Sequence, residues 1–197
     1  MAAPPVTEMV QNPLGVSYQE FLRVFTEKME PILLVQPGLV SVITGLVVNP
    51  AADDQHPPTA VSLAQWRSLE AHEAFLQSPS AGPFFEAAKS LLRGPPTIHH
   101  YQLGSLSSSN LESRYSRIEK TSEPHDSELQ PPYEAQVQAH GQDTAKIGAC
   151  IEIPQQKAYI SFGDGEESCI GGPSVAGIEA FTVAWDRYRV KALGSNL

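Results

Sequence analysis

Few residues of this chain can do chemistry near neutral pH. His72 stands in Leu69-Glu70-Ala71-His72-Glu73-Ala74-Phe75, and an imidazole can take up and return a proton at pH 7. The alternative for His72 is a half-buried helix histidine satisfied by a backbone carbonyl. Upstream, Trp66 ends an alternating apolar run, where it either stacks on a flat aromatic ligand or packs the core. Arg67 follows it and leaves the strand on the opposite face, so only one of the two can line a given cavity. Asn12 closes an earlier alternating run and can polarise a carbonyl or hold an enolate oxygen, although Asn before Pro13 also marks a turn. His99 and His100 are adjacent on a strand-like stretch, so their rings diverge and cannot chelate one metal together. His100, on the face of Ile98 and Gln102, is the one expected to line a cavity. Tyr18 and Tyr101 are candidate acid partners or packed tyrosines, and His56 beside Asp53 and Asp54 reads as a solvated loop.

Other reaction classes find no motif. Phe162-Gly163-Asp164-Gly165-Glu166-Glu167 lacks the Lys-Ser/Thr of a P-loop, the third glycine of a dinucleotide fingerprint and the ligand ladder of an EF-hand. No nucleophile elbow, zincin helix or paired Cys/His ligand set is present. The expectation is a protein that purifies colourless, with no bound cofactor and no metal.

The elements that must position these residues follow from periodicity. Val6 to Asn12 reads as a short strand. Ser17-Tyr18-Gln19-Glu20 reads as a capping box before Phe21, Val24, Phe25, Met29 and Ile32 at helical spacing. Pro37-Gly38 closes that helix and Leu39 to Val48 resumes as a strand. Ala60 to Trp66 alternates as another strand, and Ser68 caps a helix carrying Leu69, His72, Phe75 and Leu76. Pro79 interrupts it, Pro83 restarts it, and Gly94-Pro95-Pro96 ends it before a last strand. Strand, helix, strand, strand, helix, strand predicts a ferredoxin-like split βαβ with both helices on one face of a four-stranded antiparallel sheet.

The rest of the chain is less regular. Ser105 to Pro132, rich in Ser, Pro and charge, reads as a linker. Glu134 to His140, Lys146 to Ile153 and Lys157 to Phe162 alternate as strands, with Pro154-Gln155-Gln156 as a hairpin turn. Ser174 to Ala192 fits a helix through Ile178, Phe181, Trp185 and Tyr188, or a strand through Phe181, Val183 and Trp185, and the helix is preferred. The predicted organisation is a first unit over residues 1–104, a linker over 105–132 and a partial, degenerate second α+β unit over 133–197 packing on the first.

The net charge is −9 and spread along the chain, since residues 1–104 carry 5 basic and 9 acidic groups and residues 105–197 carry 8 and 13. Such a chain repels phosphate backbones and anionic lipid, which argues against nucleic acid and membrane partners. The N-terminus MAAPPVTEMV has neither a basic nor an apolar leader region, and two cysteines, Cys150 and Cys169, are too few for a disulfide framework. A cytoplasmic protein with free thiols is expected.

Gln36-Pro37-Gly38-Leu39 after the first helix, the strand ending Gln65-Trp66-Arg67-Ser68, and Leu69 to Phe75 opening the second helix together resemble the antibiotic-biosynthesis-monooxygenase (ABM) superfamily of dimeric α/β-barrel proteins. The resemblance covers about the first half of the chain, and the long insert resembles fungal members. It implies that His72 faces a cavity between sheet and helices. It also implies that a Trp, an Asn and an Arg, here Trp66, Asn12 and Arg67, lie near a flat substrate. The function so implied is a natural-product tailoring enzyme acting on an aromatic or enolisable, polyketide-like small molecule. Its reaction would be cofactor-independent oxidation or proton-transfer cyclisation, isomerisation or decarboxylation, with His72, His100 and Asn12 catalytic and Trp66, Tyr18, Arg67 and Tyr101 binding the substrate. A homodimer is expected, because an open sheet exposes an apolar face. The same scaffold also hosts non-catalytic binding or stress proteins and haem-degrading enzymes.

Overall fold

A computed structural model describes residues 3–48, 58–121, 144–165 and 178–186. β1 (Val6–Pro13) is followed by a helical segment made of α1 (Tyr18–Val24), a π-wound turn (Phe25–Met29) and α2 (Glu30–Leu34). The π turn precedes Pro31, which has no N–H to give to the i−4 carbonyl and so shifts the helical ladder locally. Ser17 caps α1 by accepting from the Glu20 N–H at 3.2 Å. The Glu20 carboxylate turns to Arg23 instead of completing the box. β2 (Leu39–Val48), β3 (Thr59–Trp66), α3 (Leu69–Leu76), α4 (Ala81–Lys89) and β4 (Thr97–Tyr101) complete the first half in the order expected.

The second half differs from its sequence reading. A short helix, α5 (Ser108–Glu112), and a strand, β5 (Tyr115–Thr121), lie where a linker is expected. β5 is an interior strand, paired with both neighbours. Ser116, Ile118 and Lys120 on its inward side are buried, an alternation of small, apolar and long basic residues that polarity alone disguises. β6 (Ala145–Ala149) and β7 (Lys157–Gly163) form the expected hairpin. β8 (Ile178–Trp185) corrects the helix preferred over 174–192: Phe181, Val183 and Trp185 all point into the core, as period two requires. The strand read over 134–140 lies outside the described residues.

The eight strands among the described residues form one antiparallel sheet, ordered β4-β1-β3-β2-β8-β5-β7-β6. The first and last strands then meet. Tyr101 bridges Cys150, the Gln102 N–H donates to the Ala149 carbonyl at 3.0 Å, and the Ile151 N–H donates to the His100 carbonyl at 2.8 Å. A sheet whose ends bond to each other is a barrel without free edges. The order of the first four strands recurs in the second four, and so does their register. Gly45 of β2 stands opposite Val61, which pairs with Gln11, and Gly148 of β6 stands opposite Ala158, which pairs with Lys120. Gln11 and Lys120 meet across the barrel, the Lys120 ammonium donating to Gln11 Oε1 at 2.5 Å and pairing with Glu179 at 3.0 Å.

Two cores result. Met9, Ile43, Val61, Leu63, Ile118, Ile160, Phe181 and Val183 fill the barrel interior. Phe21, Phe25, Leu33, Val42, Ala64, Trp66 and Phe75 pack the outer face of the first half-sheet against α1–α4. The apolar sheet face that motivates a dimer is thus covered by β5–β8 of the same chain. Because the barrel closes within one chain, the midpoint of thermal unfolding is expected to stay constant over a hundredfold change in protein concentration. A midpoint that climbs with concentration would show that closure needs a second copy.

Candidate functional site

Period two in β1 puts Glu8 on the helix-covered face, opposite Ala64 of β3 and His100 of β4. Trp66 ends β3 on that face and is fully buried, its indole N–H donating to Glu8 Oε2 at 3.1 Å. Ser68 caps α3 by accepting from the Ala71 N–H at 3.2 Å, which fixes the first turn so that His72 falls over the Trp66 ring, centroid to centroid 5.0 Å. The His72 ring meets that of His100, Nδ1 to Nε2 at 2.9 Å, and its own Nε2 lies 3.5 Å from Glu8 Oε1. At the far side His100 Nδ1 bonds the Glu152 carboxylate, which also accepts the His100 backbone N–H at 3.0 Å and the Cys150 thiol at 3.3 Å. Glu8, His72, His100 and Glu152 therefore form one line of polar side chains, buried at His72 and His100, half-buried at Glu8 and most open to water at Glu152, whose side chain is 41% exposed.

The electrostatics assign the protons. Burial would raise the Glu152 carboxyl, but hydrogen bonds from the backbone and ring of His100 overcome it and hold Glu152 ionised, at about 2. An ionised carboxylate can only accept, so His100 Nδ1 carries a hydrogen, and in the neutral ring Nε2 is left to accept. His72 then donates through Nδ1. Burial, reinforced by the neighbouring His100, lowers the His72 pKa to about 4 and keeps that ring neutral at pH 7. Burial also raises Glu8, against the opposing pull of the Trp66 N–H. What remains is the Nε2 lone pair of His72, with Glu8 too far to make a strong bond to it.

Folding stability should follow. Between pH 6.5 and 4 the unfolded chain binds the His72 proton and the folded protein does not, so stability falls as pH falls, by up to about 1.4 kcal/mol per pH unit. Glu152 adds a loss of the same sign from pH 4.5 down to 2, whereas Glu8, raised by burial, opposes the His72 loss above pH 4.5. Chemical denaturation across this range should therefore show a shallower acid loss between pH 6.5 and 4 in His72→Asn than in the native protein. Equal slopes would mean that His72 is not buried in its neutral form.

Of the residues expected from sequence, His72, His100 and Trp66 are together. Asn12 shares the β1 face but sits at the strand's far end, opposite Ala60. Arg67 is exposed, its backbone N–H donating to the Gly38 carbonyl at 2.8 Å. Tyr18 is packed under α1 against Phe21, where burial and then the nearby Asp186 carboxylate push its ionisation up. Tyr101 points into the barrel and donates to Gln156 Oε1 at 2.8 Å, so it faces away from the His72 side. Sequence reasoning missed Glu8 and Glu152. Glu8 had a signal, an acidic residue within an otherwise uncharged strand on the face of Asn12. Glu152 had none, because it reaches the site only through barrel closure.

Glu8, His72 and His100 each offer a donor atom within 4.8 Å of the others, a set able to take a divalent ion. As arranged, however, the convergent nitrogens share a hydrogen bond and the second Glu8 oxygen is held by Trp66.

No family model and no curated protein sequence matches the chain. Solved structures do match its fold. A protein of Fusobacterium nucleatum subsp. nucleatum provisionally named a monooxygenase superposes with a TM-score of 0.66 at 8% identity, covering 94% of each chain. One of Lactobacillus acidophilus with the same provisional name gives 0.61 at 13% identity, over 92% of this chain and 94% of that one. An anthrone oxidase-like protein gives 0.66 at 11% identity, over 100% and 98%. At such identities the likeness establishes the architecture alone, a mixed α+β barrel. Among the described residues no helix is long and apolar enough to cross a membrane.

Proposed function

We propose that this chain is a single-chain, ABM-like tailoring enzyme that removes a proton from an enolisable aromatic and lets the resulting carbanion react with oxygen without a cofactor. The observation that carries this reading is the neutral, buried His72, with Nδ1 engaged by His100 and an Nε2 lone pair left toward Glu8 and Trp66. For a methylene flanked by two aromatic rings, His72 Nε2 takes the first proton and molecular oxygen adds to the carbanion. The proton returns to the peroxide, and loss of the second C–H expels water to leave the ketone, so that R2CH2 and O2 give R2CO and H2O. Trp66 orients the ring, and its indole N–H holds Glu8 beside the His72 Nε2. With His72 only 4% exposed, on this reading the layer over His72 has to open before a substrate reaches Nε2.

The repeated strand order supports reading the two halves as one unit duplicated and fused, the second half standing where a partner subunit stands in a dimeric barrel. The resemblance to an anthrone oxidase-like protein makes anthrone the first probe. Oxygen uptake and quinone absorbance should rise with enzyme concentration, unaffected by chelator and without flavin, haem or metal. Tight anthrone binding with no oxygen uptake and no proton exchange would favour a binding protein.

A further inference from the structure

Glu152 comes from the turn after β6, in the second half of the chain, yet its carboxylate takes both the ring and the backbone of His100 in the first half. Its place is set by the seam, where the Ile151 N–H donates to the His100 carbonyl and Cys150 bridges Tyr101. We propose that Glu152 is a positioning residue that completes the proton-transfer site across the barrel seam, fixing the tautomer of His100 so that the His72–His100 pair stores the substrate proton. This rests on the proton-abstraction reading of His72.

The proton has a continuous route. A proton arriving at His72 Nε2 displaces the one on Nδ1 to His100 Nε2, 2.9 Å away. His100 becomes an imidazolium with its charge against the Glu152 carboxylate, which stays ionised. Return to the peroxide runs the same transfers backwards and restores both tautomers, so no net proton is gained or lost. Besides Glu152, the titratable groups meeting these two rings are Glu8 from β1 and, behind the carboxylate, Cys150. Glu8 is held by Trp66, and the thiol, pushed up by burial, donates to Glu152 as a neutral group. The Glu152 carboxylate, bonded to the ring that receives the proton, is thus placed to balance the stored charge.

The test needs no substrate. In 15N-imidazole NMR of the native protein, His100 should be the Nδ1–H tautomer and His72 should donate from Nδ1. Glu152→Gln keeps the shape but removes the charge. The tautomer preference of His100 should weaken and the midpoint for protonating the pair should fall by about one pH unit or more, with turnover about tenfold lower. Glu152→Asp, which keeps the charge, should recover part of both. Unchanged tautomers and midpoint in Glu152→Gln would overturn the proposal, whatever happens to turnover. If instead Glu152→Gln shifts the imidazoles while His72→Asn leaves turnover intact, the coupling stands and the base reading fails. If Glu152→Gln unfolds, Cys150→Ala, which leaves the carboxylate in place, should retain the native tautomers, and their loss would also reject the proposal.

Discussion

His72→Asn is expected to lower turnover of an enolisable aromatic by about 10²-fold or more, the usual contribution of a positioned general base, while melting close to the native protein. The asparagine amide stands near the Nδ1 position, so it can still donate to His100 Nε2, but nothing remains at the Nε2 position to accept a proton. His72→Ala should lose the same activity and, in addition, about 1–3 kcal/mol of stability, because the His100 acceptor is left buried without a donor. The pair separates chemistry from packing. A structural histidine would make alanine destabilising and asparagine harmless to rate per folded molecule.

The second large effect concerns closure of the barrel. A Cβ on Gly148 would lie 2.4 Å from the Gln102 carbonyl oxygen, 2.5 Å from its carbon and 2.8 Å from the Leu103 nitrogen, all backbone atoms that no rotamer change can move. At the matching position of the other seam, a Cβ on Gly45 would lie 2.5 Å from the Ala184 carbonyl oxygen. Each glycine is what lets two strands from different halves approach. Gly148→Ala and Gly45→Ala should each cost about 3 kcal/mol, the upper end of ordinary overpacking, or a melting temperature lower by roughly 6–12 °C for a chain of this length. Gly82→Ala in α4, where nothing lies within 4 Å of the added carbon, should be neutral or stabilising by up to about 1 kcal/mol. The two seams should differ in function. Gly148→Ala disturbs the β4–β6 junction that carries Glu152 and should reduce turnover even below its melting range, whereas Gly45→Ala acts at the other seam. Equal melting temperatures for Gly148→Ala and Gly82→Ala would contradict the close approach.

The first half was legible because its elements are locally consistent. Ser17 and Ser68 cap the helices they precede, and the faces of β1, β3 and β4 follow period two closely enough to bring His72, His100 and Trp66 to one side. In the second half, Ser116 and Lys120 sit on the inward face of β5, so the strand looked like polar linker. Phe181 and Trp185 satisfy both helical and strand spacing, and only the partner strands decide between them. The position of Tyr101 shows the same limit, since it lies one residue from His100 and therefore across the sheet from it. Glu152 belongs to the site through a contact between β4 and β6, and a contact across a barrel seam leaves no periodicity in the chain.

Proton abstraction can be separated from oxidation by working without oxygen. With anthrone in anaerobic D2O, the native protein should accelerate replacement of the methylene hydrogens by deuterium in proportion to enzyme concentration, and His72→Asn should return the rate to that of buffer. Exchange no faster than buffer with native protein, or undiminished exchange in His72→Asn, would contradict the assignment of His72 as the proton acceptor.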